Sequence, residues 1–317
     1  MKRQSVAERN TLKKRETSHV MLLGLFGFGL ICLALFVFLM AFFKRSWSDT
    51  SDRNILLLPE TVDGYTGKIL FAHISPTNHK IDVVLLNPEL SVNVIGGYEQ
   101  YPLRSIFPLW KLENRDPQIL PAIYSFALSK VVDQLWLSDK YHFDPTHPDF
   151  RQITQNLLLF KITSPLTLGD RIWLYRFTQG LRPDEIKVTN IETLDQWQKF
   201  QSDIQFGDQA AACNFAVINT IGISGAGSTV GKMLESSGFS IVRITDESPA
   251  ADKTQLIVGE KADQCQDQQD HALHAIPLPV KVIHDTAKAN QYRANMVLLL
   301  GKDMEPYFGV KPAQATP

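Results

Sequence analysis

Three arginines, Arg171, Arg176 and Arg182, are spaced along Gly169-Asp-Arg-Ile-Trp-Leu-Tyr-Arg-Phe-Thr-Gln-Gly-Leu-Arg-Pro183, with Trp173, Tyr175 and Phe177 between them. A guanidinium presents a planar fork of donors to phosphate or carboxylate oxygens, and an aromatic face stacks on a sugar ring, so the pattern suits an anionic glycan. On an amphipathic helix the same residues would put the aromatics in a core and the arginines in water. Both readings stand on spacing alone. Gly222-Ile-Ser-Gly-Ala-Gly227, between an apolar run and a helical pattern, lies where a phosphate cradle would be sought. A P-loop would need Gly at 226 and Ser or Thr at 233, where the chain has Ala226 and Met233 around Gly231-Lys232. A dinucleotide fingerprint would need Gly at 230, where Val230 stands. These glycines are therefore read as a tight turn and a close helix-to-sheet contact.

Two clusters resemble metal ligand sets without matching their spacing. One is His142, Asp144, His147 and Asp149, which Pro145 and Pro148 mark as a surface loop. The other is Cys265, Asp267, Asp270, His271 and His274, read as the exposed polar face of a helix. No metal or cofactor is assigned. The chain also lacks a G-x-S-x-G nucleophile elbow, because Gly222-Ile-Ser-Gly-Ala places its second glycine too early.

The elements that must position these residues fall into two α/β groups. Residues 55–58 read as a strand, and 69–74 with 81–86 as a hairpin around Pro76-Thr-Asn-His79, in which Asn78 tolerates the left-handed region. Both hairpin strands are nearly all apolar, as strands buried on two faces are. A third strand over 90–95 ends at Gly96-Gly97. Apolar spacing predicts a helix over 119–137 and another over 166–180, followed by a strand over 186–191 and a helix to 200 opened by Thr193 and Gln196. The small, polar stretch 206–212 marks a boundary, after which 215–219, 226–237 and 239–244 form a βαβ unit. Residues 254–258, 264–275, 280–284 and 296–300 extend it, and 306–317 read as a loose tail.

Membership of a membrane follows from residues 20–43, an unbroken apolar run longer than the roughly 30 Å hydrocarbon core when helical. The preceding tail carries six basic residues, Lys2, Arg3, Arg9, Lys13, Lys14 and Arg15, against Glu8 and Glu16, which keeps it cytoplasmic and sends the bulk of the chain across. A cleaved signal would need a shorter apolar core and a small-x-small site, whereas Met40-Ala-Phe-Phe43 ends bulky. The whole chain carries a formal charge of −1, and Ser46 to Pro317 carries −7, so no nucleic-acid partner is indicated. Only Cys213 and Cys265 lie beyond the apolar run, either as one disulfide or as two buried thiols.

Val217-Ile-Asn219-Thr220, Gly222-Ile-Ser-Gly225, Ser237-Gly238-Phe239 and Val297-Leu-Leu-Leu-Gly301-Lys-Asp303 stand in the order and spacing of the LytR C-terminal domain, which this segment resembles over about 213–304. The resemblance implies an accessory or binding module of the cell envelope without its own catalysis, with Asn219 and Thr220 as its leading polar pair. The family usually has Asn-Gly-Thr where this chain has Asn219-Thr220-Ile221. The preceding region is similar to the LytR-CpsA-Psr catalytic domain in its hairpin, 69–86, and in Arg104, which stands where that family has a basic residue. That resemblance implies transfer of glycopolymers from a lipid pyrophosphate to peptidoglycan. The chemistry departs from the pattern: Gly67-Lys68 replaces an expected acid, and Pro88-Glu89-Leu90 replaces Pro-Arg-Asp, reversing the sign needed at phosphate.

The expectation is an α/β protein with a basic tail (1–19), a transmembrane helix (20–43), a stem (44–53), a degenerate LytR-CpsA-Psr-like α/β domain around a mixed sheet (54–205), a smaller LytR C-terminal-like domain built on a βαβ unit (213–304) and a tail (305–317). The expected role is a membrane-anchored, non-catalytic module for wall polymer or an envelope protein, with Arg104, Arg171, Arg176, Arg182, Asn219 and Thr220 as candidate ligand contacts. Two alternatives remain. A divergent phosphotransferase would draw its acids from Asp82, Glu89, Asp116 or Asp170, and a scaffold would bind only proteins.

Overall fold

The computed structural model describes residues 47, 52–59, 68–95, 100–114, 116–138, 149–203, 213–260 and 265–308. The basic tail, the apolar run, the histidines at 142 and 147 and the boundary read at 206–212 lie outside them. Among the described residues no helix is long and apolar enough to cross a membrane. The chain divides into two compact units, one of Ser48–Pro165 with Leu174–Pro317 and one of Met1–Trp47 with Leu166–Trp173.

The larger unit is mixed α/β and holds two principal sheets. The first is built from β1 (Arg53–Pro59), β2 (Ile69–Ser75), β3 (Lys80–Leu86), β6 (Gln134–Ser138), β7 (Ile162–Thr163) and β8 (Ile186–Ile191), in the order β7-β6-β1-β2-β3-β8. The hairpin pairs Ser75 with Lys80 and Ile69 with Leu86, and β2 is buried throughout. Its left-handed residue is His79, at φ 47°, while Asn78 donates its side-chain amide to Ser75 Oγ at 2.9 Å.

The third expected strand is shorter and lies apart, since β4 (Ser91–Asn93) pairs with β5 (Gln100–Pro102) as a separate ribbon. The α1 (Ile106–Leu112), α3 (Phe150–Leu158) and β7 elements carried no expectation. The helix expected over 119–137 is instead α2 (Leu120–Leu128) followed by β6. Ser129 turns left-handed at φ 49°, and Lys130 N donates to Ser125 O, which closes the helix. Leu135, Trp136 and Leu137 then pair in parallel with β1. α4 (Leu168–Gly180) and α5 (Leu194–Asp203) follow, the latter opened by the expected box, in which Gln196 N donates to Thr193 Oγ1 and Gln196 Oε1 accepts from Thr193 N. Trp197 on α5 meets Phe71 edge-on at 5.2 Å and donates its indole N–H to Leu128 O at 2.8 Å, joining α5 to both sheet and helix.

The second sheet has the order β10-β9-β13-β11-β12. It contains β9 (Asn214–Asn219), β10 (Ser240–Asp246), β11 (Gln255–Val258), β12 (Lys281–His284) and β13 (Met296–Leu300), accompanied by α6 (Ala226–Ser236), α7 (Gln266–Ala275), α8 (Thr286–Gln291) and α9 (Glu305–Phe308). β9, α6 and β10 form the expected parallel unit. The start of the expected loose tail is packed: Phe308 meets Phe126 edge-on at 5.6 Å, and Tyr307 Oη donates to Pro277 O. A disulfide joins Cys213, ahead of β9, to Cys265, ahead of α7, with their Cα atoms 6.1 Å apart.

Glycines in this sheet act by what they leave out. Gly222 and Gly225, at φ 76° and 83°, turn the chain from β9 into α6. Gly231 faces Ile244, and an added Cβ would stand 2.5 Å from Ile244 Cδ1, the free end of a side chain that is 44% exposed. Gly301 faces backbone instead, since its Cβ would meet the Lys253 carbonyl and lie 2.6 Å from Thr254 N. The two sites therefore separate in a denaturant melt. Gly301→Ala is expected to cost about 2–4 kcal/mol through overpacking against main chain, whereas Gly231→Ala stays within about 1 kcal/mol because Ile244 turns aside and the helix gains propensity.

Candidate functional site

Lys68, Glu89 and Arg104 come together at one rim of the first sheet. Lys68, just ahead of β2, forms an ion pair with Glu192 at the end of β8. Asn87, after β3, donates its side-chain amide to the other Glu192 oxygen at 3.2 Å and accepts from Glu89 N at 3.0 Å. Glu89 in turn binds the Arg104 guanidinium. Lys68, Glu192, Asn87, Glu89 and Arg104 thus form one exposed network in which two cations face two carboxylates. The basic groups are satisfied by the chain's own acids.

The other candidate acids are also committed locally. Asp82 contacts Lys80 at 2.8 Å, and Asp116 caps a short turn by accepting from Gln118 N at 2.8 Å. Asp170 accepts from the Trp47 main-chain N–H and from Thr167 Oγ1.

The arginines of 169–183 do not share a partner among the described contacts. Arg171, in the smaller unit, donates Nε to Leu166 O at 3.2 Å, and Arg176 is exposed. Arg182 folds back on its own turn, giving Nε and its main-chain N–H to Glu185 with Asp184 3.8 Å away. Of the interleaved aromatics, Phe177 stacks on His79 at 6.3 Å, and Trp173, Tyr175 and Phe177 are all half-buried.

Asn219 and Thr220 are buried and engaged internally. Asn219 donates to Ile223 O at 3.0 Å and to Asp246 Oδ1 at 2.6 Å while accepting from Ile221 N, so its side chain braces the glycine turn. Thr220 Oγ1 donates to Leu300 O and accepts from Ala251 N. Across from it, Asp303 accepts from Thr254 N and Thr254 Oγ1, and Gly301 N donates to Thr254 Oγ1. The motif residues Asn219, Thr220, Gly301 and Asp303 therefore form a clasp that ties the ends of β9 and β13 to the 251–254 crossing.

A buried polar cluster that sequence reading missed joins the two sheets of the larger unit. His271, on α7, points inward, contrary to the solvated face expected for it, and its Nδ1 lies 2.8 Å from Asp133 Oδ1. Asp133 also accepts from Asn54 N at 2.6 Å and has Arg53 Nη1 at 3.8 Å. Asn54 donates to Val131 O and its Oδ1 accepts from His73 Nδ1 at 2.8 Å, which places the His73 proton on that nitrogen. Lys130 is fully buried and donates to Ser236 O at 2.7 Å, at the C-terminal, electronegative end of α6. Beside it, Val131 N donates to Ser237 Oγ and Ser236 Oγ donates to Ser129 O. The one sequence signal for this seam was the pair of charges, Lys130 and Asp133, interrupting an apolar stretch. Among the described residues no group of three His, Cys, Asp or Glu side chains is placed to hold a metal.

Burial dominates the titration of this cluster. It pulls His73 down to about 3, assisted by Lys130 and Lys80, so His73 is neutral and the 3.7 Å approach of its Nε2 to Asp52 is not an ion pair. Burial likewise pulls Lys130 down to about 7 against the attraction of Asp52 and Asp133. For Asp133 burial works upward, but His271, Arg53 and the Asn54 amide outweigh it and hold the carboxyl below its ordinary value. Burial works downward on His271, and Asp133 outweighs it, so His271 titrates above its ordinary value.

The signs follow by linkage. The Asp133 contribution is lost only as pH falls below the ordinary carboxylate range, and that of His271 is lost as pH rises through its raised value. Lys130 destabilises as pH falls from 10.5 to about 7. Between pH 6.5 and 4, His73 is the member of this cluster that titrates in the unfolded chain while remaining neutral in the folded one. Stability is expected to fall there by about 1.4 kcal/mol per pH unit, a slope that denaturant melts should find removed in His73→Asn. Asp133→Asn leaves Arg53 and His271 without their shared buried counter-charge and is expected to cost about 3–5 kcal/mol in the same melts at neutral pH.

No curated protein sequence matches this chain significantly. The transcriptional regulator yvhJ of Bacillus subtilis is 12% identical at a TM-score of 0.35, covering 49% of this chain and 97% of its own. B. subtilis TagV is 9% identical at 0.35, covering 49% and 96%, and B. subtilis TagT is 11% identical at 0.37, covering 50% and 92%. Residues 214–303 match the family described as LytR cell envelope-related transcriptional attenuator, and this part of the chain, the second sheet with α6, α7 and α8 and its Asn219–Asp303 clasp, is a LytR_C domain.

Proposed function

We propose that the protein is a membrane-anchored, extracytoplasmic protein of the cell envelope whose exported part is a non-catalytic module binding wall polymer or an envelope partner. The observation that carries the envelope assignment is the LytR_C domain at 214–303. The charge asymmetry around the apolar run 20–43 supports export of that domain. The non-catalytic reading draws on the rim of the first sheet. Phosphoryl transfer needs cations directed at phosphate oxygens and carboxylates free to seat a metal. Here Lys68 and Arg104 face Glu192 and Glu89, and engaging an anion would require breaking those pairs first.

The test is a binding titration of the full chain in lipid nanodiscs against peptidoglycan carrying its wall polymer and against a polyprenyl-pyrophosphate glycan, each with and without magnesium. Binding to wall polymer that is indifferent to magnesium, with no pyrophosphate released, is the expected outcome. Magnesium-dependent binding of the lipid-linked glycan with pyrophosphate release would replace this reading with a phosphotransferase, and binding to neither would leave a protein as the partner.

A further inference from the structure

We propose that the first turns of α4, clasped to Trp47, are a foot that rests on the lipid headgroup layer of the membrane from which the chain emerges. This rests on reading residues 20–43 as an anchor. The apolar run ends at Phe43, and only Lys44, Arg45 and Ser46 separate it from Trp47. Four residue steps reach at most about 14 Å, whereas the headgroup layer on each side of the hydrocarbon is roughly 5–8 Å thick. Trp47 is therefore confined to that layer or the water just above it.

Trp47 is not a loose end of the stem. Its main-chain N–H donates to Asp170 Oδ1 at 2.9 Å, and its indole meets Trp173 edge-on with ring centroids 6.0 Å apart. Asp170 is itself fixed, accepting from Thr167 Oγ1 at 2.7 Å while its own N–H donates back to Thr167 Oγ1 at 3.1 Å. Whatever distance from the bilayer Trp47 takes, Leu166–Trp173 takes it too.

The side chains fit a lipid surface. The half-buried Trp173 indole combines an apolar body with one N–H donor and favours the membrane-water boundary over either bulk phase, while Trp47 is buried against it. Leu168 and Ile172, one helical turn apart on α4, are both half-buried. Lys44 and Arg45 precede the indoles and match anionic headgroups in charge. The aromatic residues that suggested sugar stacking in the sequence are thereby divided, with Trp173 assigned to lipid.

The test uses the full chain in phosphatidylethanolamine and phosphatidylglycerol vesicles at three to one. A fraction of the lipid carries bromine atoms either close to the headgroup or deep in the tails, and tryptophan emission is read. The five tryptophans are Trp47, Trp110, Trp136, Trp173 and Trp197; Trp110, Trp136 and Trp197 are buried in the larger unit, Trp47 is buried in the smaller one at 6% exposure, and Trp173 is half-buried. Shallow bromines are expected to quench the native chain, to quench Trp173→Phe by less than about half as much because the remaining Trp47 is buried, and to quench Trp136→Phe as they do the native chain. Equal shallow quenching of the native chain and Trp173→Phe overturns the proposal. Trp47→Phe, in which Trp173 remains as reporter, gives the same reading should the first variant fail to fold. Extraction at alkaline pH separates the two inferences. A chain that stays in the vesicles while Trp173→Phe changes nothing keeps the anchor and loses the foot, and a chain released without detergent loses both.

Discussion

The buried ion pair between Asp133 and His271 is the contact on which the arrangement of the larger unit depends. A carboxylate taken out of water costs several kcal/mol unless charge and hydrogen bonds replace its hydration. Asp133 receives those replacements from both sides of the seam, His271 from the LytR_C domain and Arg53 with Asn54 N from the first sheet. Separating the two sheets would strip the carboxylate of its imidazolium and leave Lys130 without Ser236 O at the end of α6. Apolar contact, such as Phe126 on Phe308, adds area to this seam but is tolerant of small shifts. The polar contacts are directional, and they set one register between the sheets.

A second constraint is charge neutrality at the rim of the first sheet. Lys68 and Glu89 would each leave unpaired charge there without a partner of opposite sign. Glu192 and Arg104 supply that balance, and Asn87 ties the two pairs together. In the LytR_C domain the same economy applies to the motif residues. Asn219, Thr220, Gly301 and Asp303 are each explained by a contact within the clasp, with Gly301 required by the main chain that crosses it.

Much of this was legible in the sequence because it is local. The 69–86 hairpin, the Thr193–Gln196 box and the β9-α6-β10 unit all follow from apolar period, turn residues and caps within a few positions of one another. The helix expected over 119–137 fails at Ser129, where Leu135, Trp136 and Leu137 fit a helical and a strand period equally well until β1 offers them hydrogen bonds. His271 was read as solvated because α7 is polar in composition, and nothing within that helix announces that Asp133, far away in the chain, will face it.

The sequence by itself determined the apolar run and its charge asymmetry, the mixed α/β elements and the spacing of the motif that marks the LytR_C domain, since each of these depends on residues near in the chain. Only the tertiary structure decided that Arg182 folds back on Glu185, that Arg104 is neutralised by Glu89, and that Lys130, Asp133, His73 and His271 share one buried seam. Pairing between charges is set by which side chains the fold brings within a few ångströms, and burial sets their protonation. Neither quantity exists before the sheets have packed.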